Sequence, residues 1–160
     1  DWPEFPTAVG HKLLGAALGI AGYAQRDRTA APSTATFPVA DELLFGGLHV
    51  TEDWGGVPVR WTTDRAEFIL QPRTSRLRVL YYVGHPDISE DEPVRVRLRI
   101  DGVETVEFTH TRRGSQEHVF QLPEPVPFAV DLEIEVSRTF PEAPDGRRLG
   151  IALYPIVSLP

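Results

Sequence analysis

The chain has 160 residues, of which 41% are hydrophobic and 24% charged, and its formal net charge is −7. This length suits one domain with a single core, and the composition argues against disorder and against membrane embedding over most of the chain. The negative charge disfavours non-specific nucleic-acid binding and acidic substrates, and the absence of cysteine excludes disulfides, thiolate nucleophiles and cysteine-ligated zinc.

The beginning of the chain lacks the pattern of β-strands. Asp1 opens it without methionine, basic segment or signal-type apolar run, so we expect a fragment of a longer protein. The apolar stretch at 13–24 is shorter than the roughly 20 residues that span a bilayer and predicts a short helix. Residues 29–38 have the small, polar, proline-interrupted composition of a linker. We therefore predict a helical or irregular arm over 1–36 and a boundary near Phe37.

Residues 37–160 are predicted to form an all-β domain. Short runs rich in β-branched and aromatic residues alternate there with Gly, Pro and Asp. The predicted strands are 57–62, 66–71, 76–83, 94–101, 103–110, 116–122, 130–138 and 148–157. No helical period separates them, which favours an antiparallel, jelly-roll-like β-sandwich of about eight strands.

Two of the predicted strands alternate cleanly between apolar and charged residues. The charged positions of one are basic and those of the other acidic: Arg95, Arg97 and Arg99 against Asp131, Glu133 and Glu135. Opposite charges on exposed faces favour neighbouring strands, so we predict that 94–101 pairs with 130–138. This pairing assigns the arginines to ion pairs rather than to anion binding.

The connection around Gly102 predicts a hairpin because it is an Asp-Gly dipeptide between two strands. A strict two-residue turn would place Glu107 opposite Val96 and turn Phe108 outward. We therefore expect a bulge at the turn, with Gly102 at positive φ, which returns Phe108 to the core.

The sequence contains no strong catalytic or metal motif. Its five histidines lack the helical spacing of a zincin, and nucleophile elbows, phosphate loops and dinucleotide fingerprints are absent. His110 and His118 flank a predicted hairpin turn at 112–115, where a metal site is a minor alternative to two exposed strand-end histidines. The acidic run at 90–92 predicts a solvated turn, with structural calcium as a minor alternative. We expect no enzyme activity and no cofactor in this fragment.

Two tryptophans are candidate ligand residues. Trp54 lies in a glycine-containing loop at 52–56, and Trp61 lies in a strand-like run. Sugars stack their C–H faces on exposed aromatic rings, while neighbouring polar side chains bind the hydroxyls. The alternative for both residues is ordinary packing at one end of the sandwich.

Arg138 and Arg147 flank a proline-rich loop near the end of the chain. One interpretation is that both arginines join Asp145 in ion pairs that fix this loop to the sheet. In the other, one of them donates to a ligand oxygen or phosphate through its planar fork of N–H groups.

Several short motifs resemble those of an accessory domain attached to bacterial glycosyltransferases and SAM-dependent methyltransferases of surface-polysaccharide pathways. They are the segments at 60–62, 85–87, 94–102, 138–141 and 145–151, and the resemblance covers about residues 40–157. It implies a carbohydrate-binding-like or galactose-binding-like β-sandwich, and it adds His85 and Asp87 to the candidate ligand residues. The loop that joins the last two motifs is shorter here than in that family.

The resemblance implies a non-catalytic module that positions a glycan for a larger enzyme. Its partners would be a polysaccharide and the catalytic domain of the parent protein, with no nucleic acid and no membrane, and the compartment would be the cytoplasm if the parent builds polysaccharides. The alternative is a structural or oligomerisation domain that docks another protein through the sandwich face or the glycine-rich arm, and homo-oligomers belong to that alternative. A stand-alone hydrolase is a third, minor alternative.

Overall fold

The computed structural model describes residues 45–142 and 144–160. These residues form strands and no helix, in the order β1 (Phe45–Asp53), β2 (Pro58–Leu70), β3 (Arg76–Val83), β4 (Val94–Ile100), β5 (Glu104–His110), β6 (Gly114–Gln121), β7 (Val130–Val136), β8 (Phe140–Glu142), β9 (Arg147–Leu149), β10 (Ala152–Leu153) and β11 (Val157–Leu159). The predicted arm, its helix and linker, and the boundary near Phe37 lie outside the described residues. Within the described part, no helix has the length and apolar character to cross a bilayer.

Nine of the strands form one antiparallel sheet that curls into two layers, and β8 and β9 form a separate two-stranded sheet. One layer contains β6, β3, β10, β11 and the first half of β2, and the other contains the second half of β2, then β7, β4 and β5. Strand β2 belongs to both layers because it pairs with β10 near its start and with β7 near its end. The predicted all-β antiparallel sandwich is confirmed. The described residues form eleven strands rather than about eight: β2 joins two predicted strands, whereas the predicted strand at 148–157 is divided between β9 and β10.

The core lies between the two layers. Alternate residues of β3, β4 and β7 point inward from both sides, and Val79, Val96 and Ile134 are fully buried. Burying a side chain of this size contributes roughly 1.5–3 kcal/mol. The alternation of apolar and polar residues along these strands therefore determines most of the fold.

The predicted pairing of the basic and acidic strands is confirmed. Arg97 lies opposite Glu135 and Arg99 opposite Glu133, with N–O distances of 2.6 and 2.7 Å. Arg95 does not reach an acidic partner on β7, because its main-chain N–H donates to Oγ of Ser137 and its carbonyl accepts from the main-chain N–H of the same residue.

The predicted bulge near Gly102 is confirmed. Ile100 pairs with Glu104, so three residues form the turn, and Gly102 has a φ of 72°. This extra residue places Phe108 opposite Val96, where it packs against the core.

The predicted hairpin between His110 and His118 is wrong. Strand β5 pairs with β4, whereas β6 pairs with β3, so the segment at 111–113 crosses from one layer to the other. Nε2 of His110 lies 2.9 Å from the hydroxyl oxygen of Tyr81, and Nε2 of His118 lies 2.6 Å from Oε2 of Glu104. Each histidine therefore has its own partner, and the two do not face each other across a pair of neighbouring strands.

Candidate functional site

The outer face of the first layer carries an aromatic surface. Trp61 on β2, Ala152 on β10 and Tyr82 on β3 are side by side in register. Because Ala152 is small, it leaves room between the two large side chains. Trp54, from the turn between β1 and β2, contacts both rings edge-to-face, with centroids 5.8 Å from Trp61 and 6.0 Å from Tyr82.

Two further rings complete this surface. Tyr154 lies 6.3 Å from Trp54, and Phe140 of β8 lies 5.6 Å from Trp61, both with T-shaped geometry. We call this group the aromatic cluster: Trp54, Trp61, Tyr82, Phe140 and Tyr154. Only 7% of Trp61 is exposed, so it is the base of the cluster, whereas the other four rings are half-buried. Trp54 is therefore a packed residue that still presents part of its ring to solvent.

Charged side chains lie beside the exposed part of the cluster. Nε1 of Trp54 donates to Oε2 of Glu52 at 3.2 Å, and Nη2 of Arg147 donates to Oε1 of the same carboxylate at 3.4 Å. Arg147 also contacts Glu142 and Asp145, the latter at 2.8 Å from Nε. The predicted contact between Arg147 and Asp145 is present, and Glu52 fixes the orientation of the indole.

His85 lies in the interior next to Phe140 of the aromatic cluster. Its ring is fully buried and lies 4.8 Å from that of Phe140, and its Nε2 lies 2.8 Å from the carbonyl oxygen of Arg138. Burial lowers the pKa of His85. A buried, neutral imidazole of this kind supports the ring of Phe140 rather than contacting a ligand.

Arg138 points away from the aromatic cluster, toward the loop between β3 and β4. Its Nη1 donates to Oδ2 of Asp87 at 2.8 Å, and its Nη2 donates to the carbonyl of Glu92 at 2.5 Å. The hydrogen bond from Arg138 lowers the pKa of Asp87. Arg138 thus fixes this loop onto the end of β7, and it does not pair with Asp145 as the sequence suggested.

The six candidate residues therefore fall into two neighbouring groups. One group contains Trp54 and Trp61 of the aromatic cluster together with Arg147. Glu52 connects Arg147 to Trp54 through hydrogen bonds to both. The other group lies beside the cluster and consists of His85, Asp87 and Arg138. The contact between the rings of His85 and Phe140 connects the two groups.

Sequence reasoning missed three rings of the cluster. Tyr82 had a usable signal, because alternation along β3 places Leu77 and Tyr81 inward and Tyr82 outward. Phe140 and Tyr154 lie in short strands or loops, where the sequence carries no period.

Metal ligands are not grouped in this region. Within 45–142 and 144–160, no set of three His, Asp or Glu side chains is placed to hold a metal ion. In the acidic run at 90–92, the loop closes on itself through hydrogen bonds between Ser89 and Glu92.

No protein-family profile matches the sequence, and no curated protein matches it. Among solved structures, similar chains include a family 35 carbohydrate binding module from Clostridium thermocellum, with 8% identity and a TM-score of 0.42 over 75% of this chain and 95% of that one. The CBM36-1 domain of a multidomain xylanase from the hindgut metagenome of Trinervitermes trinervoides has 15% identity and a TM-score of 0.40, over 75% and 94%.

A third similar structure is the mosquito-larvicidal Cry4Aa toxin of Bacillus thuringiensis, with 15% identity and a TM-score of 0.37 over 66% of this chain. The match spans about a fifth of the toxin, 19% of its chain. At TM-scores of this size the β-sandwich assignment rests on the strand register described above.

Proposed function

We propose that this domain is a non-catalytic carbohydrate-binding module whose sugar ligand lies on the aromatic cluster. The observation that carries the proposal is the half-buried ring of Trp54, held edge-to-face by Trp61 and Tyr82 beside the Glu52–Arg147 ion pair. A sugar ring offers C–H groups to such a surface and hydroxyls to the charged groups next to it.

The rings are fixed before a ligand arrives. Trp54 is held by ring contacts and by its hydrogen bond to Glu52, and Trp61 beneath it is almost completely buried. Binding to a surface that is already ordered costs little side-chain entropy, so more of the stacking energy contributes to the affinity for a sugar.

In the parent protein, the module is proposed to hold a polysaccharide near the catalytic domain of a bacterial surface-polysaccharide enzyme, a glycosyltransferase or methyltransferase. This part of the proposal is supported by the resemblance of the sequence motifs at 60–62, 85–87, 94–102, 138–141 and 145–151 to those of the accessory-domain family. Tethering raises the effective concentration of the polymer without new chemistry. Trp54→Ala in the parent protein should then slow turnover of dilute polymeric acceptors and leave short acceptors unaffected.

The direct test is a glycan array of bacterial polysaccharides, followed by calorimetric titration of each hit. We expect Trp54→Ala to weaken binding about tenfold or more, since one stacked aromatic ring contributes on the order of 1.5 kcal/mol or more. Phe128→Ala is the matched control, because Phe128 is an exposed aromatic residue in the loop before β7, at the other end of β2.

Two results would contradict the proposal. One is equal affinity for the wild type and Trp54→Ala. The other is that no polysaccharide binds. In that case, self-association in sedimentation that is lost when residues 1–36 are removed would favour a docking domain.

A further inference from the structure

Strand β2 changes partner in the middle, and this change opens a notch in the sheet. Up to Thr62 its neighbour on one side is β10 with the two residues before it: Ala152 pairs with Trp61, and the N–H of Gly150 donates to the carbonyl of Thr62 at 2.7 Å. From Arg65 onward its neighbour on that side is β7, starting with Glu135. Residues 63–64 lie between these two ladders, where the described residues provide no strand partner.

Two adjoining cavities of about 630 and 600 Å³ meet at this point. Both are lined by Asp64 and Ser137, which therefore lie at their shared border. We call this pair of cavities the switch notch. The polar lining residues that matter for the argument are Thr63, Asp64, Arg95, Ser137, Thr139 and Arg148, and the carboxylates of Glu107 and Glu135 also line the first cavity.

The notch contains arginines whose charge no carboxylate neutralises. Three other arginines that line it are engaged: Arg65 with Glu67 and Glu133, Arg97 with Glu107 and Glu135, and Arg138 with Asp87. Arg95, by contrast, is exposed, and its guanidinium has no hydrogen-bond or ionic partner among the described residues. The register between β4 and β7 explains this, because it pairs Arg97 with Glu135 and Arg99 with Glu133 and leaves Arg95 beside Ser137.

Arg148 provides a second free charge in a fixed position. Its Nε donates to Oγ1 of Thr139 at 2.8 Å, and its Nη2 donates to the carbonyl of the same residue at 2.9 Å. No carboxylate contacts it among the described residues, and its remaining N–H groups are available. An arginine held in this way loses little entropy when it binds an anion.

We propose that the switch notch binds an acidic glycan, one that carries carboxylates or phosphate esters, with Arg95 in the first cavity and Arg148 in the second each available to contact an anionic group. Carboxylates and phosphate esters both present the paired oxygens that a guanidinium recognises. Asp64, which also has no ionic partner among the described residues, accepts hydrogen bonds from sugar hydroxyls next to the anionic group. The inference rests on the proposed function for the sugar part of the ligand. It specifies an acidic glycan as the ligand class, although the chain itself carries a net negative charge.

The notch is separate from the aromatic cluster, so the two can be tested independently. The hairpin of β8 and β9 stands between them. Leu149 is buried on the side of the cluster together with Phe140, whereas its neighbour Arg148 is exposed and reaches the notch.

The test is calorimetric titration of the whole chain with three probes: oligogalacturonate, the same oligosaccharide with its carboxylates reduced to alcohols, and mannose 6-phosphate. We expect Arg95→Ala to weaken binding of the carboxylate or the phosphate probe about tenfold, because a charge-assisted hydrogen bond is lost. The probe that shows this dependence identifies the anion. Binding should also weaken with added salt, since Arg95 is exposed.

Arg112→Ala is the matched control, because Arg112 is also exposed and lines a different cavity beside His110. It should leave the affinity unchanged. Equal loss in both variants, no loss in Arg95→Ala, or equal binding of the acidic and reduced probes would each overturn the inference.

Trp54→Ala separates the two proposals. If it abolishes binding of neutral sugars while Arg95→Ala changes nothing, the module binds glycans and the notch does not contribute. If anionic probes bind in a manner that depends on Arg95 and not on Trp54, the notch is the site and the aromatic surface is not. Absence of binding for every sugar contradicts both.

Discussion

The Nε2 atom of His85 lies 2.8 Å from the carbonyl oxygen of Arg138, inside a region that solvent does not reach. A carbonyl only accepts, so the N–H of His85 is on Nε2. The other ring nitrogen, Nδ1, is buried without a hydrogen-bond partner. The fold therefore holds His85 as a neutral imidazole, and protonation would place both a charge and an unpaired N–H in the interior.

This arrangement predicts that the domain loses stability in mild acid. Burial holds the folded-state pKa of His85 below its ordinary value of 6.5. The unfolded chain then takes up a proton as the pH falls below about 6.5 while the folded chain does not, so the free energy of unfolding falls. Urea denaturation between pH 7.5 and about pH 5 should show a decrease of up to roughly 1.4 kcal/mol per pH unit for this histidine.

A variant separates His85 from the other buried histidine. The pKa of His110 is also lowered by burial, so His110 contributes in the same pH window. His85→Gln retains an N–H donor and removes the titration, so its stability should depend less steeply on pH than that of the wild type, and His110→Gln should show its own separate reduction. A pH dependence identical in wild type and His85→Gln would contradict this view of the buried imidazole.

Glu133 is predicted to stabilise the second layer more than its neighbour Glu135. Burial alone would raise the pKa of Glu133, but the hydrogen bond and charge of Arg99 and the charge of Arg65 outweigh burial and lower the pKa. Its side chain is 8% exposed, against 37% for Glu135. Because both arginines remain largely hydrated, we expect Glu133→Ala to cost only about 2 kcal/mol in denaturant titration.

Glu135→Ala is the matched control, since it removes an exposed ion pair with Arg97 from the same strand. It should cost less than about 1 kcal/mol. If the two substitutions cost the same, Glu133 does not act as the buried centre of this ion-pair network.

The two tryptophans of the aromatic cluster should differ sharply in their effect on folding. Trp61→Ala removes a nearly buried ring and is expected to cost about 3–5 kcal/mol in the free energy of unfolding. Trp54→Ala removes a half-buried ring and should cost about 1–2 kcal/mol, which leaves a folded protein for binding experiments. Thermal unfolding of both variants checks this, and a larger loss in Trp54→Ala would mean that Trp54 is chiefly a packing residue.

Gly150 is predicted to be intolerant of any side chain. A Cβ at this position would clash with the carbonyl oxygen of Thr63 and with Oγ1 of Thr62, where β2 changes partner. Gly150→Ala should therefore destabilise the domain by several kcal/mol, on the order of 2–4, as expected of overpacking against backbone. Gly114→Ala has open space around its Cβ and serves as control, and equal effects of the two would contradict the close approach.

The strands that sequence alone predicts well are those with regular alternation. Strands β3, β4 and β7 have one buried face, and their charge pattern also identified a pair of neighbours. Strand β2 was predicted as two strands because the polar residues at 62–65 are typical of a loop. In the structure they continue the strand as it passes from one layer to the other, which only tertiary packing reveals.

The other differences between the predicted and the observed structure also arise from tertiary packing. Turn residues before Gly114 predict a change of direction, yet they do not determine whether the next strand pairs locally or across the sandwich. Likewise the sequence identified Trp54 and Trp61 as candidates without placing them together. Their contact depends on a small residue, Ala152, in register between β2 and β3 and far away in the chain.

The most direct test of sugar binding at the aromatic cluster is nuclear magnetic resonance of the ¹⁵N-labelled chain during titration with a polysaccharide that binds on the array. Trp54 and Trp61 each give an indole N–H signal. We expect the Trp54 signal to shift progressively along a saturation curve whose dissociation constant equals that measured by calorimetry, with a smaller shift for the nearly buried Trp61. An unchanged Trp54 signal at saturating polysaccharide would contradict the proposed site.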